Sequence, residues 1–433
     1  MTVSPVVTID AVGKHVGEEV SIRGWVYNKR SSGKIRFILV RDGTGIIQCV
    51  LIKDEVGGET FDKFDSLTQE TSLIVSGVIN EDRRAPLGYE LLLRHIEIGQ
   101  IARNYPITPK EHSVGYLLQR RHLWVRSARQ NAILRIRAGV VKAVRDFLDG
   151  EGFVLADAPI FTPTSCEGTS TLFETKYFDK TAYLSQSGQL YNEAMAMALG
   201  KVYCFGPAFR AEKSKTRRHL TEFWQVEPEA AYYDLNDMAD VVERLLVYVV
   251  RWILKKRSNE LHSLERDTGS LEHLATPFPR ITYHEAIDIL KRNGLEVQYG
   301  SDLGAPEETA LSNEFDRPVF ITDYPLKAKE FYMKEHPENP ELVLCFDLLA
   351  PDGYGEIVGG SQRVDDLAIL EQRLKDFNLP REPFEWYLDL RRYGSVPHSG
   401  FGMGIERTVA WICGIKHVRE AIPFPRTIYR LTP

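Results

Sequence analysis

The stretch that decides the fold runs Phe205-Gly206-Pro207-Ala208-Phe209-Arg210-Ala211-Glu212, crosses the basic segment Lys213-Ser214-Lys215-Thr216-Arg217-Arg218, and returns along His219-Leu220-Thr221-Glu222-Phe223. It reads as two strands flanking a polar loop. Arg210 and Glu212 stand two apart, which on a strand puts a guanidinium and a carboxylate on one face, with Phe209 and Ala211 turned away. A guanidinium stays charged and can bond a phosphate bidentately; the purely structural alternative is a cross-strand ion pair. The context lies near the C-terminus, in Gly400-Phe401-Gly402-Met403-Gly404-Ile405-Glu406-Arg407. Alternate glycines leave one strand face bare, so a flat ligand or another backbone can approach closely. Arg407 then opens a helix expected over 408–413, where the helix dipole favours anions. Neither G-x-x-x-x-G-K-[ST] nor G-x-G-x-x-G occurs, so a bound nucleotide is held in another way.

Outward from these segments, the first hundred residues read as short strands at 20–27, 36–41, 46–52, 73–78 and 90–98, with a helical piece at 61–67 between the third and fourth. Five strands with that helix placement suit a Greek-key barrel of the OB type. A proline-bearing segment, 101–127, reads as a hinge. Residues 128–148 carry Ile133, Ile136, Val140, Val144 and Phe147 on one helical face, stopped by Gly150 and Gly152, and a strand is expected from Phe153 to Pro159. The remainder mixes strands and helices without regular alternation, as an α+β domain on an antiparallel sheet does, with helical stretches at 238–264 and 283–293 outside the sheet. The expected domains are therefore 1–100, 101–127 and 128–433.

Composition narrows the class. With 433 residues, 43% hydrophobic and 26% charged, the chain is an ordinary globular protein of two or three domains. No run approaches the roughly 18 apolar residues that span a bilayer, and the first residues lack a secretory stretch, so no membrane partner and a cytoplasmic location are expected. Five scattered cysteines show no zinc or redox spacing. A net charge of -6 excludes a generally basic nucleic-acid binder, yet six Lys or Arg and no acid lie between Arg23 and Arg41. Such a local patch can hold phosphates on an acidic protein.

Taken together, these segments resemble the three ordered motifs of class II aminoacyl-tRNA synthetases: the 128–148 helix with its strand to Pro159, the stretch from Phe209 to Phe223, and Gly402 to Arg407. With the N-terminal barrel, the resemblance is to the aspartate, asparagine and lysine subgroup and extends over nearly the whole chain. It implies ATP as a substrate, Mg²⁺, and a homodimer formed through the first motif. Arg210 would hold the α-phosphate and Arg407 the γ-phosphate of a bent ATP. Phe223 would stack on adenine, with Arg407 covering its other side. Glu212 would lie near the adenine amino group and the RNA 3′ end, and His219 near the outer phosphates. Asp347 and Glu356 would carry the metal, for which carboxylate and phosphate oxygens are suited; the turn Ala350-Pro351-Asp352-Gly353 sets these two further apart in sequence than in the lysine and aspartate relatives.

The amino-acid pocket implied by the resemblance draws on Glu167 (in Ser165-Cys166-Glu167-Gly168), Gln189 and Arg363: Glu167 for the substrate ammonium, Gln189 beside it, Arg363 for the side-chain carbonyl. Aspartate enzymes carry a lysine where this chain has Asn192, an Asp where it has Glu227, and Ser-Pro where it has Ser187-Gly188. Arg363 can donate to an amide oxygen and Glu227 can accept from its NH₂, whereas an aspartate side chain would face Glu227 with no lysine to compensate. The implied substrates are L-asparagine and tRNA(Asn). Phe37 and Gln48 match the aromatic and the glutamine that related barrels use on the central anticodon uridine, with Arg30 in an adjoining basic loop. A relaxed aspartate enzyme, a catalytically silent sensor and an ATP-dependent asparagine synthetase are the competing readings. Asn192 and Glu227 oppose the first, the intact Arg210, Phe223, Glu356 and Arg407 the second, and the retained barrel the third.

Overall fold

The computed structural model describes residues 4–167 and 172–433, which form two compact units, Met1–Trp124 and Val125–Pro433. In the first, strands β1 (Glu19–Ser32), β2 (Ile35–Arg41) and β3 (Ile46–Ile52) are followed by helix α1 (Lys53–Ser66), then β4 (Ser72–Glu81) and β5 (Tyr89–Gln100). They close a barrel in the order β1-β2-β3-β5-β4, with β4 returning to β1. Alternation explains the closure: Val20 and Ile22, Ile38 and Val40, and Ile47 and Cys49 point into one core, leaving Phe37, Leu39 and Gln48 on the outside. The expected short helix is longer, beginning at Lys53 and kinked at Gly57, whose φ of 73° only glycine adopts readily. The segment expected as an irregular hinge carries two short helices, α2 (Val114–Gln119), capped by Ser113, and α3 (Arg121–Trp124).

The second unit opens with helix α4 (Ala128–Gly150) and β6 (Val154–Leu155). Only these two residues of the strand expected up to Pro159 are regular. A small sheet, β7 (Phe161–Thr162), β8 (Glu174–Tyr177) and β9 (Lys180–Leu184), comes next, then α5 (Gln189–Leu199), β10 (Lys201–Phe209) and β11 (Glu222–Ala231). The helical stretch from Met238 is two helices, α6 (Leu235–Lys256) and α7 (Ser258–Ser263), because Arg257 leaves helical geometry at φ -132°. Further on are α8 (Gly269–Glu272), β12 (Arg280–Thr282), α9 (Tyr283–Arg292), α10 (Ala305–Ser312), β13 (Val319–Pro325), β14 (Glu335–His336), β15 (Asn339–Ala350), β16 (Gly355–Gln362), α11 (Leu367–Asp376), α12 (Glu385–Arg392), β17 (His398–Gly404) and α13 (Ile405–Cys413).

The large sheet runs β12-β13-β15-β16-β17-β11-β10-β6, with β14 on β15. It is antiparallel through its centre but parallel at both ends, where β12 meets β13 and β6 meets β10. Helices α4, α6 and α13 cover one face. Their apolar stripes, including Ile136, Val140, Val241, Leu245, Val409 and Ile412, share a buried core with Val226, Val358 and Met403 of the sheet. Each such side chain contributes roughly 1.5–3 kcal/mol of transfer free energy. Because strands alternate, the neighbours of those three residues face the other way, and that face, overlaid by α5 at β10 and β11, carries the site.

Candidate active site

On β11 the residues Phe223, Gln225, Glu227 and Glu229 share one face by simple alternation, and all four line cavities on the open side of the sheet. The opposing strand β17 contributes Gly402, where an added Cβ would lie 3.6 Å from Gln225 and 3.9 Å from Glu227, so the floor is bare there. Gly400 serves a different end: a Cβ would overlap the Glu229 carboxylate.

Two contiguous cavities occupy this face, one of about 200 Å³ and one of about 280 Å³. Arg210, Gln225, Glu308, Glu356 and Gly402 belong to both. Strand β10 ends at Phe209, so Arg210 and Glu212 lie on the loop rather than on one strand face as expected; the main-chain bond from Arg210 to Thr221 is the last before the strands part. The Arg210 guanidinium sits 5.5 Å from the Phe223 ring centroid and pairs with Glu167 at 3.5 Å, not with Glu212. Burial works against its charge, but Glu167, Glu212 and Glu356 overcompensate and raise its pKa.

The larger cavity gathers Glu212, His219, Phe223 and Arg407. Helix α13 begins at Ile405, three residues before the expected start, which makes Arg407 its third residue. Arg407 Nη1 donates to the Glu356 carboxylate at 2.9 Å and to its carbonyl at 3.0 Å. His219 bonds Thr216 and lies 3.7 Å from Glu212. Burial and the Arg407 charge depress its pKa, which favours the neutral imidazole. Arg218, which sequence reasoning left in a generic basic cluster, is buried and tied to Glu308, Thr309 and the Gly353 carbonyl, anchoring the loop.

Asp347 and Glu356 come together despite their spacing. A bulge at Leu348/Leu349 pairs Asp347 with Gly359 and Leu349 with Glu356. A Cβ on Gly359 would stand 3.0 Å from Glu356 Oε1 and 3.5 Å from Asp347 Oδ1, so both oxygens border the space that glycine leaves. Their partner oxygens are engaged, Asp347 Oδ2 by Lys329 at 2.6 Å and Glu356 Oε2 by Arg407. Burial, and then the Glu356 charge against the pull of Lys329, leave Asp347 at about 6. Glu308 is pushed up to about 7 by burial and by Glu356, against Arg407. Among the described residues no group of three or more metal-ligating side chains gathers. Two carboxylates with free, mutually repelling oxygens fit a hard cation that takes its other ligands from phosphates.

The smaller cavity holds Glu167, Gln189, Glu227 and Arg363; Gly168 lies outside the described residues. Glu167 also accepts from the Tyr332 hydroxyl at 3.3 Å. Gln189 Nε2 donates to Glu193 at 3.1 Å, which fixes its amide beside the cavity. Glu193 is itself buried and clamped by Tyr387, Arg391 and His398. Arg363 pairs with Glu229 through Nε and Nη2, at 3.1 and 2.9 Å, and with Ser361 through Nη1 at 2.7 Å. Its five donors are thereby reduced to one on each terminal nitrogen. Glu229 is thus the partner of this arginine, and Glu227 is not; the β11 alternation was the signal that could have found it. Asn192 does not line the cavity: from α5 its amide donates to the Glu227 carbonyl at 2.6 Å.

A separate cluster lies on the barrel. Arg30 stacks on Phe37 at 4.0 Å and its Nη2 reaches Gln48 Oε1 at 3.5 Å, while Gln48 Nε2 donates to Glu90 at 3.3 Å. Arg30 belongs to β1, directly across from Phe37, and not to a loop as expected. The half-buried aromatic face and the amide edge stand on neighbouring strands beneath a cation, an arrangement that suits an unpaired base. Glu90, on β5 beside Gln48, was not foreseen.

Family models match over both units: tRNA synthetases class II (D, K and N) at residues 113–428, and an OB-fold nucleic acid binding domain at residues 20–98. The chain is 58% identical over 427 residues to the asparagine–tRNA ligase of Pelotomaculum thermopropionicum, covering 99% of each, and 54% identical to that of Koribacter versatilis, covering 100% of each. Among solved structures, asparaginyl-tRNA synthetase from Pyrococcus horikoshii complexed with asparaginyl-adenylate superposes with a TM-score of 0.95 at 48% identity over 99% of each chain. The Entamoeba histolytica enzyme in complex with asparaginyl-adenylate gives 0.90 at 31%, again over 99% of each.

Proposed function

We infer the function from one premise: the chain belongs to the class II tRNA synthetases of the aspartate, lysine and asparagine group. It is an asparagine–tRNA ligase, which activates L-asparagine with ATP to the adenylate and pyrophosphate and then transfers asparagine to the 3′ end of tRNA(Asn). The observation that carries the chemistry is Arg210 at the junction of the two cavities. In our reading the larger takes ATP and the smaller takes asparagine, so the α-phosphorus and the attacking carboxylate meet beside this guanidinium. The nucleophile is already ionised at neutral pH, and the first step needs alignment and charge neutralisation rather than a general base.

We assign Phe223 to the adenine, Glu212 to its amino group, and Arg407 and His219 to the outer phosphates. A neutral His219 can take up a proton as phosphate charge arrives. Asp347 and Glu356 would hold Mg²⁺, which when bound supplies charge neutralisation across the phosphates. At the amino-acid end, Glu167 and the Gln189 oxygen receive the ammonium. The free N–H groups of Arg363 meet the side-chain oxygen, and Glu227 accepts from the NH₂. Arg30, Phe37 and Gln48 read the anticodon, which makes residues 1–100 the tRNA-reading domain, 101–127 the connection and 128–433 the catalytic domain. A homodimer through the α4–β6 region accounts for the exposed Val154, Leu155, Ile160 and Phe161 beside a free sheet edge. No described helix is long and apolar enough to cross a membrane.

ATP–pyrophosphate exchange tests the reading. Exchange is expected with asparagine, and with aspartate only weakly. Exchange with aspartate alone would overturn the choice of amino acid, and exchange with neither would overturn the catalytic reading.

A further inference from the structure

Glu227 is buried, 8% exposed, yet borders the amino-acid cavity. An ionised carboxylate offers about four lone-pair sites. Three are taken by this protein's own donors. The Ser187 hydroxyl donates to Oε1, and the Gly188 main-chain N–H donates to Oε2 at 2.9 Å. The Cys204 thiol also donates to Oε2, at 3.3 Å. The Ser187 hydroxyl must donate, because an ionised carboxylate has no proton to offer, while its oxygen accepts the Gln189 N–H at 3.1 Å. One acceptor site on Oε1 is left, matching one N–H of an amide.

Gly188 is glycine for a reason other than backbone strain. Its φ of -86° suits any ordinary residue and lies close to the range of proline. Space and the N–H are what matter. An added Cβ would stand 2.5 Å from Cys204 Sγ, 2.8 Å from Ala158 Cβ and 3.3 Å from Glu227 Oε2. A proline would bring that carbon and also delete the donor, leaving Oε2 with the weak thiol alone.

The charged and titratable groups around Glu227 come from every element packed on it. Glu167 and Cys166 face it from the segment before β8, Cys204 from β10, and Arg363, committed to Glu229, from the end of β16. Burial and, more weakly, the Glu167 charge raise its pKa, while Ser187, Gly188 and Cys204 oppose that rise. A protonated Glu227 could itself donate to a carboxylate, which would let an acidic side chain into the pocket.

Resting on the asparagine reading, we propose that Gly188 is a specificity-positioning residue: through its N–H and its missing Cβ, with Ser187 and Cys204, it keeps Glu227 an acceptor-only carboxylate with one lone pair aimed at the substrate. This cage selects an amide side chain over a carboxylate. Asn192, on α5, completes it by holding the Glu227 carbonyl.

The test is pyrophosphate exchange by the full-length protein with asparagine and with aspartate, from about pH 5.5 to 8.5. Gly188→Ala adds the carbon and keeps the N–H; Gly188→Pro adds it and removes the N–H. Their difference isolates the hydrogen bond. Gly188→Pro is expected to fall about tenfold or more below Gly188→Ala in kcat/KM for asparagine. Its KM for ATP should stay within about twofold. The preference for asparagine over aspartate should shrink, and the acid limb of the asparagine profile should move to higher pH. Equal losses in the two variants, with the acid limb and the preference unmoved, would overturn the proposal. If either variant fails to fold, Ser187→Ala and Cys204→Ala, which delete donors and add no atoms, decide by the same shift or its absence. Exchange with aspartate alone in the unmutated protein would instead be a failure of the asparagine reading itself.

Discussion

Replacing Arg407 by alanine tests the nucleotide site most severely. The arginine is 24% exposed and Glu356 34%, and two bonds join them at 2.9 and 3.0 Å. At that exposure the pair contributes about 1–2 kcal/mol to stability. The loss leaves Glu356 near Asp347 and Glu308 without its cation. Glu308, already at about 7 with Arg407 holding it down, rises further and takes up a proton. The fold should therefore survive with a melting point a few degrees lower. The reaction suffers more. A donor aimed at charge that develops on the leaving pyrophosphate is worth about 10²–10³ in rate. In pyrophosphate exchange, kcat/KM for ATP should drop by that factor, while asparagine still protects the protein against thermal unfolding. Arg407→Lys keeps the charge but not the planar fork, and should fall between the two. A folded Arg407→Ala protein with ATP use within about threefold of the parent would show that the larger cavity is not where the phosphates lie.

Three further outcomes are expected. Phe37→Ala removes the ring beneath Arg30 and should weaken use of tRNA(Asn) in aminoacylation by an amount equivalent to ~1–3 kcal/mol while sparing pyrophosphate exchange; equal losses in both assays would refute the separate role of the barrel. Glu330 is pushed up to about 8 by burial and then by Glu167, against Arg210 and Lys329. A free glutamate titrates near 4.3. Between these values the folded state holds a proton that the unfolded chain releases, so stability falls as pH rises. Glu330→Gln should thus match the parent in thermal melts near pH 4 and exceed it by a growing margin up to about pH 8.5, and parallel curves would refute this. Leu155→Asp puts a charge on the exposed edge strand β6 and should yield monomers in sedimentation, where an unchanged species would exclude that face from the dimer.

How far the sequence could be read depends on the range of the interaction that positions each residue. Alternation and helical periodicity are local, and they were enough for the five barrel strands, for α4, and for the pairing of β10 with β11. Composition alone could not show that the large sheet turns parallel at its ends, because that depends on which distant strand arrives there. The same limit runs through the site. Arg210, Phe223 and Arg407 announce themselves in ordered motifs, and all three border the larger cavity. Glu229 was missed because its partner Arg363 lies 134 positions away, and Lys329 because its carboxylate arrives from across a bulged hairpin. Asn192 is the instructive case. In sequence it marks the branch by the lysine it lacks, as though the side chain itself met the substrate. In the fold it sits on α5 and bonds the carbonyl of Glu227, and the group that meets the cavity is the carboxylate it steadies. The Ser187-Gly188 pair was legible as a difference from Ser-Pro but not as a mechanism, since the consequence of that difference is a main-chain N–H whose acceptor lies 39 residues further on. Preference for an amide over a carboxylate therefore belongs to a cage built from β10, β11 and the start of α5, and a substitution at any one wall should be felt at the others.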